Sequence, residues 1–344
     1  MTISTKSFGT TAGGDGVTLF ELGSESGVKV ELLDYGAILR GVKMPDRDGE
    51  SREITLGFES LASYESNPPY FGATVGRFGN RIAGGRFELE GQSYRLAKND
   101  GDNHLHGGIE GFHKRLWSAD SSEGSDRSTV TFRLISPDGD EGYPGTLTVL
   151  VTYTLDTSGS LSIAYEATCD RATPLNLTNH AYWNLAGAGS GSVGAHVLSM
   201  QADRYLEVDE GLVPTGVIAD VTGTPFDFTT APKALAERME EMGGYDLCYV
   251  LADAPRQEPA LAATVTDPAS GRGLRILTTE PGVQLYTGIH LPSVDVEGPF
   301  VKYGAFCLEA QHFPDSPNRP SFPTTILHPG DTYRQTTIHE LFVS

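Results

Sequence analysis

Apolar and polar residues alternate with a period of two along most of this chain, the spacing that sends successive side chains to opposite faces of a β-strand. Residues 129–135 alternate around Val130, Phe132 and Leu134, and residues 146–155 form a long run of Thr, Val, Leu and Tyr. That run ends in a turn at Asp156-Thr157-Ser158-Gly159, and a second run follows at 161–167. Two shorter runs, 86–89 and 93–96, flank Glu90-Gly91-Gln92 and read as a hairpin. Residues 274–278, 283–286 and 305–308 continue the pattern. Helical signals are few. The clearest covers 231–242, with Thr230 before it, Pro232 in its first turn and Gly243-Gly244 after it; a short one covers 61–66. There is no internal repeat and no linker with a shift of composition. These features predict an all-β chain, one large antiparallel β-sandwich with a few short helices, formed as a single domain over residues 1–344.

Composition agrees with many short elements joined by tight turns, since the chain carries 41 Gly and 20 Pro. The formal charge of -20 sets a surface that repels phosphate backbones, and no basic patch offsets it, which argues against nucleic-acid binding. The cysteines, Cys169, Cys248 and Cys307, are odd in number and widely spaced, which disfavours a disulfide framework or a Cys-based zinc site. No apolar stretch is long enough to span a membrane, and the polar start lacks the pattern of a signal peptide, so the cytoplasm is the expected compartment.

Polar residues crowd between Gly, Asn and aromatics in several segments: GRFGNRI at 76–82, NHLHGG at 103–108, NLTNHAYWN at 176–184 and LEAQHFP at 308–314. Strand alternation puts Ala305, Cys307 and Glu309 on one face, where a carboxylate is costly unless it is paired or opens on a cleft; a strand-end residue reaching water is the plainer alternative. Arg77 and Arg81 suit a loop that clamps oxygens in fork geometry, or are surface charges. Tyr182 and Trp183 suit core or pocket wall. A rival metal-binding set is His104, His106, Glu110 and His180, with Asn184 beyond, because two His at i and i+2 on a strand share a face. The long separation between its halves and the Gly107-Gly108 interruption weigh against it.

Taken in order, GRFGNRI, NHLHGG, GFHKRLW (111–117), SPDGDEGYPG (136–145), PLNLTNHAYWNL (174–185), GYD (244–246) and CLEAQHFPDSPN (307–318) resemble the aldose 1-epimerase (galactose mutarotase) family. The resemblance implies a galactose mutarotase-like supersandwich with an open sugar cleft, and an isomerase that interconverts the α and β anomers of an aldohexose such as galactose or glucose. It implies Glu309 as the base that takes the O1 proton and His180 as the acid that protonates the ring oxygen. Asn80, Arg81, His106, Tyr182, Asp246 and Gln284 would line the sugar site. No cofactor or metal is implied; the partner is a free monosaccharide, and the protein a monomer or homodimer.

The sequence departs from the family pattern in places. Leu247-Cys248 follow GYD where many members carry His-Asn, which puts the preferred hydroxyl configuration in question. His113 in GFHK replaces a more usual Asp, and choosing His106 over His104 rests on the LHGG context. Two other functions fit the same scaffold: a sugar-phosphate epimerase, for which Arg77, Arg81 and Arg86 are the phosphate candidates, and a non-catalytic carbohydrate-binding protein. Asp246 also has a plain reading as a turn residue after Gly243-Gly244-Tyr245.

Overall fold

The computed structural model describes residues 1–66, 69–229, 231–291 and 300–344. Strands dominate, and the runs of alternating residues fold as expected. The strands Arg127–Ser136, Leu147–Asp156 and Leu161–Cys169 are consecutive antiparallel neighbours, and Arg86–Leu89 pairs with Gln92–Arg95 across a two-residue turn. That turn needs two left-handed residues, which Glu90 (φ 51°) and Gly91 (φ 78°) provide.

Among the described residues the largest sheet has nine strands. From Ser118–Glu123 it runs through the three strands above to Tyr333–Val343, Arg272–Thr278, Ala260–Thr266, Val197–Met200 and Lys233–Ala234. A five-stranded sheet holds the first strands of the chain in sequence order, from Thr2–Thr10 to Ser51–Glu53. A second five-stranded sheet, in the order Pro214–Asp220, Arg204–Val208, Asp246–Val250, Gly282–Tyr286 and Cys307–Gln311, carries the chemistry described below. One continuous core joins all three. Val30 and Leu32 from the N-terminal sheet, Val151 and Tyr153 from the large sheet, and Leu247, Leu285 and Leu308 from the third belong to the same buried cluster. Burying each such side chain contributes about 1.5–3 kcal/mol.

Two expectations change in detail. The run at 305–308 forms a strand two residues later, Cys307–Gln311, so Glu309 lies in mid-strand and not at a strand end. Its ladder with Gly282–Tyr286 continues past the acidic residue because only the Glu309 side chain, not its backbone, leaves the apolar pattern. The helix expected over 231–242 shrinks to Ala236–Met239. Lys233–Ala234 instead pair with Val197–Met200, and the Leu235 N–H donates to the His196 carbonyl, so sheet pairing outcompetes the first helical turn. Thr230, the expected cap, lies outside the described residues. The short helix Leu61–Ser66 forms as expected, held by buried Leu61 and Tyr64.

Candidate active site

Alternation in the third sheet sorts its side chains by chemistry. Leu247, Tyr249, Val283, Leu285 and Leu308 point into the core. Asp246, Cys248, Gln284, Tyr286, Cys307 and Glu309, being the intervening residues, point the other way. Register then sets neighbours: Gln284 is opposite both Cys248 and Glu309, and Tyr286 is opposite both Asp246 and Cys307. Gln284 Nε2 donates to Asp246 Oδ1 at 2.6 Å, which fixes that carboxylate.

The opposite wall comes from two loops joined by the short pair Arg81–Ile82 and His104–Leu105. Asn80 (φ 66°) and His106 (φ 51°) both adopt left-handed backbone and bond each other twice. The His106 N–H donates to the Asn80 carbonyl at 3.1 Å, and the Asn80 N–H donates to His106 Nδ1 at 3.2 Å. Because Nδ1 accepts, the proton of the neutral ring sits on Nε2, and His106 offers a donor at a fixed angle. Gly107 follows for a steric reason: a Cβ there would lie 1.8 Å from the Gly76 carbonyl oxygen. Arg81 is held by Asp100, Nε to Oδ2 at 2.8 Å.

His180 enters from a third direction, after the strand Thr178–Asn179, with its backbone bonded to Ala73 and Gly72. Its ring stacks on Tyr182 (5.0 Å between centroids, 14° between planes) and meets His106 edge-on at 5.1 Å. Tyr70 lies nearly parallel to it at 6.1 Å. Nε2 is 3.7 Å from Glu309 Oε2, and both side chains are almost fully buried, at 6% and 3% exposure. Glu309 Oε2 has no hydrogen-bond partner among the described residues, nor has Gln284 Oε1. A buried carboxylate oxygen left in that condition costs about 1–3 kcal/mol or more, and a ligand hydroxyl is the natural remedy.

All of these groups line one cleft of about 150 Å³: Asn80, Arg81, His106, His180, Tyr182, Asp246, Gln284 and Glu309, every residue that the family resemblance implies. Burial governs its electrostatics. It pushes Glu309 well above the usual carboxylate range, helped by neighbouring Asp246 and opposed by Arg81. It pushes His180 down to about 4 and His106 well below its ordinary value, the latter aided by His180 and Arg81. Asp246 is also raised by burial, against the pull of Arg81 and Gln284.

Other residues fall elsewhere. Arg77 is a structural cation and not a clamp: buried, it donates to Ser136 Oγ and to the carbonyls of Ser136, Pro137 and Pro144. The rival metal set does not assemble, because His104 bonds Tyr143 and the Ala97 carbonyl, while Glu110 is exposed beside Lys114. Asn184 is spent on the carbonyls of Gly191 and Gly304. His106, His180 and Glu309 do converge, with ligand atoms within 4.8 Å of one another, a spacing that a metal ion could use. The Asn80 N–H on Nδ1 sets the wrong tautomer for ligation through Nε2, which carries the ring proton. Leu247 faces the core, and Cys248 is buried among Leu206, Val250, Phe313 and Phe322, so neither lines the cleft. His113 packs edge-on against Tyr70 at 4.6 Å, behind the wall. Sequence reasoning missed Tyr70, Tyr286 and His290 in the cleft, and Asp100 behind it. Tyr286, two residues after Gln284, was legible by alternation; Tyr70 and Asp100 sit in loops with no periodic signal.

Comparisons with known proteins show the family. A family profile described as aldose 1-epimerase matches residues 18–340. Galactose mutarotase of Homo sapiens is 43% identical over 332 residues, covering 95% of this chain and 94% of that one. Aldose 1-epimerase of Escherichia coli is 38% identical over 331 residues, covering 94% of each. Among solved structures, galactose 1-epimerase from Lactobacillus acidophilus superposes with a TM-score of 0.87 at 28% identity, over 100% of this chain and 99% of that one. The aldose epimerase homologue of C. elegans gives 0.86 at 32% identity, over 94% and 98%. The chain belongs to the aldose 1-epimerase family.

Proposed function

We propose that this isomerase interconverts the α and β anomers of a free aldohexose, galactose or glucose, with Glu309 and His180 moving the protons. The observation that carries the reading is the 3.7 Å approach of His180 Nε2 to an unpartnered Glu309 Oε2 on the wall of one cleft. Ring opening removes a proton from O1 and delivers one to O5. Two groups a few ångströms apart can serve both oxygens of one hemiacetal carbon.

The pair holds one proton throughout. In the free protein burial disfavours both charges, so the proton rests on Glu309 and His180 is neutral. A bound sugar reverses this: O1–H donating to the Glu309 carboxylate and O5 accepting from the His180 N–H both favour the charged forms. Glu309 then takes the O1 proton as His180 hands its own to O5, and the C1–O5 bond breaks. After rotation about C1–C2, His180 recovers the O5 proton and Glu309 returns one to O1 as the ring closes on the other face. The His106 N–H, Arg81, Asn80, Asp246 and Gln284 hold the remaining hydroxyls, and Tyr182 walls the ring.

A sugar-phosphate substrate is disfavoured by the cleft. Arg81 is its one Lys or Arg among the described residues and is already paired with Asp100, while Arg77 is buried elsewhere. Cytoplasmic residence fits the three free cysteines. Polarimetry from pure α-galactose and α-glucose tests the assignment. Glu309→Gln and His180→Asn are each expected to lower kcat by about 10²–10⁴ with the melting curve retained; a near-normal rate in either variant refutes it.

A further inference from the structure

Resting on that acid–base reading, we infer that Cys307 is a positioning residue: its sulfur holds the proton of the neutral His180 ring on Nδ1, so that Nε2 is the nitrogen that gives up and recovers a proton. Neutral imidazole carries one N–H. If that proton settled on Nε2, the ring could not take the O5 proton back from inside the cleft, and the closing half of the reaction would stall. His180 therefore needs an acceptor at Nδ1, the nitrogen away from Glu309.

The structure supplies one. Cys307 Sγ lies 3.6 Å from His180 Nδ1, within hydrogen-bonding range for sulfur, and both residues are buried. The contact follows from strand register. Cys307 and Glu309 share one face of the strand Cys307–Gln311, so one strand presents the reacting carboxylate to Nε2 and the sulfur to Nδ1 of the same ring. Stacking on Tyr182 fixes the ring plane between them.

Sulfur is a different choice from the carboxylate that orients histidine in hydrolytic triads. A carboxylate at Nδ1 would stabilise imidazolium and weaken it as an acid. A neutral sulfur orients the ring without adding charge. The thiol stays protonated, since burial and the nearby Glu309 and Asp246 carboxylates all oppose thiolate. Among the described residues, the other titratable groups facing the ring are Glu309, His106, Tyr70 and Tyr182, and the His180 backbone carbonyl also favours the protonated ring.

The test joins kinetics to a tautomer readout on the full-length protein. With ¹⁵N-labelled histidine, the neutral His180 ring of the natural protein is expected to show the Nδ1–H pattern, and Cys307→Ala a mixture or the Nε2–H pattern. Cys307→Ala should lose about ten- to a hundredfold in kcat with KM little changed, and Cys307→Ser, whose oxygen can also accept, should recover most of it. Cys307→Asp should move the acid limb of the pH profile upward. Cys307→Ala that keeps the Nδ1–H pattern, or stays within about twofold of the natural kcat, overturns the inference while leaving the Glu309–His180 assignment standing; an Nε2–H ring in the natural protein overturns the inference together with the role of His180 Nε2. Full activity in Glu309→Gln would overturn that assignment instead, whatever tautomer the ring shows.

Discussion

The proposed one-proton pair of Glu309 and His180 makes a demanding prediction about acid. In kcat/KM, which reports the free enzyme, the acid limb marks the second proton entering the pair, and that proton lands on His180. Burial places this step at about 4, against an ordinary histidine value of 6.5. At pH 5.5 a histidine with an ordinary value would leave about a tenth of the enzyme in the working form, whereas a value near 4 leaves nearly all of it. Activity at pH 5.5 is therefore expected within about twofold of that at pH 7. On the alkaline side, the rate should fall as Glu309 loses its proton, above the usual carboxylate range.

The fold itself imposes a control on this measurement. His104, His196 and His339 are pushed to about 4, and His113 to about 3, all by burial. Their folded values are depressed, so the unfolded chain binds protons that the folded chain refuses. Stability is present above 6.5 and is lost as pH falls toward 4, by about 1.4 kcal/mol per residue per pH unit at most. The rate must then be read within seconds of a pH jump from 7, by stopped-flow polarimetry with the spontaneous rate subtracted. An acid limb centred at 6 or above, in protein shown by fluorescence to be still folded, would refute the reasoning.

Two further outcomes follow from contacts around the cleft. Asp100→Asn removes the anchor of Arg81 without touching the cleft, and should raise KM about three- to tenfold with kcat nearly constant in initial-rate measurements. The effect is kept modest because Asp100 is partly exposed. Arg77→Met strands several buried carbonyls and should cost about 3–5 kcal/mol in urea unfolding, while the folded fraction keeps its kcat. A large loss of kcat at unchanged stability would instead return Arg77 to the site.

How much of this was legible depended on the kind of signal each residue carries. Period-two alternation is local, so the strands around Val130, Val149 and Ile163 could be read directly, and so could the shared face of Cys307 and Glu309. Helix signals at 231–242 were equally local but lost to a long-range competitor, the edge of the Val197–Met200 strand. Arg77 and Arg81 look alike in GRFGNRI, yet one is buried under the loop and the other lines the cleft. Only the path of the chain past Ser136 and Asp100 separates them. The family resemblance implied His106 over His104, and geometry supplies a reason. The strand ends at Leu105 and His106 takes left-handed backbone, so the two rings do not share a face as strand alternation would have it: His104 bonds Tyr143 and His106 meets His180.

The same alternation explains why so small a cleft can hold so many ionisable groups. A sheet that buries Leu247, Leu285 and Leu308 on one face must present Asp246, Gln284 and Glu309 on the other, and antiparallel register clusters them without any further device. Packing loops over that face removes water and raises the cost of charge, so the free protein settles into its neutral tautomer. Only a ligand able to donate at Glu309 and accept at His180 restores the charged pair. A cyclic hemiacetal carries that donor and that acceptor on one carbon, O1–H and O5, whereas an alkyl glycoside lacks the donor. On the proposed roles of Glu309 and His180, selectivity for a free anomeric centre follows from the proton balance of the pair, before any contact with the other hydroxyls is counted.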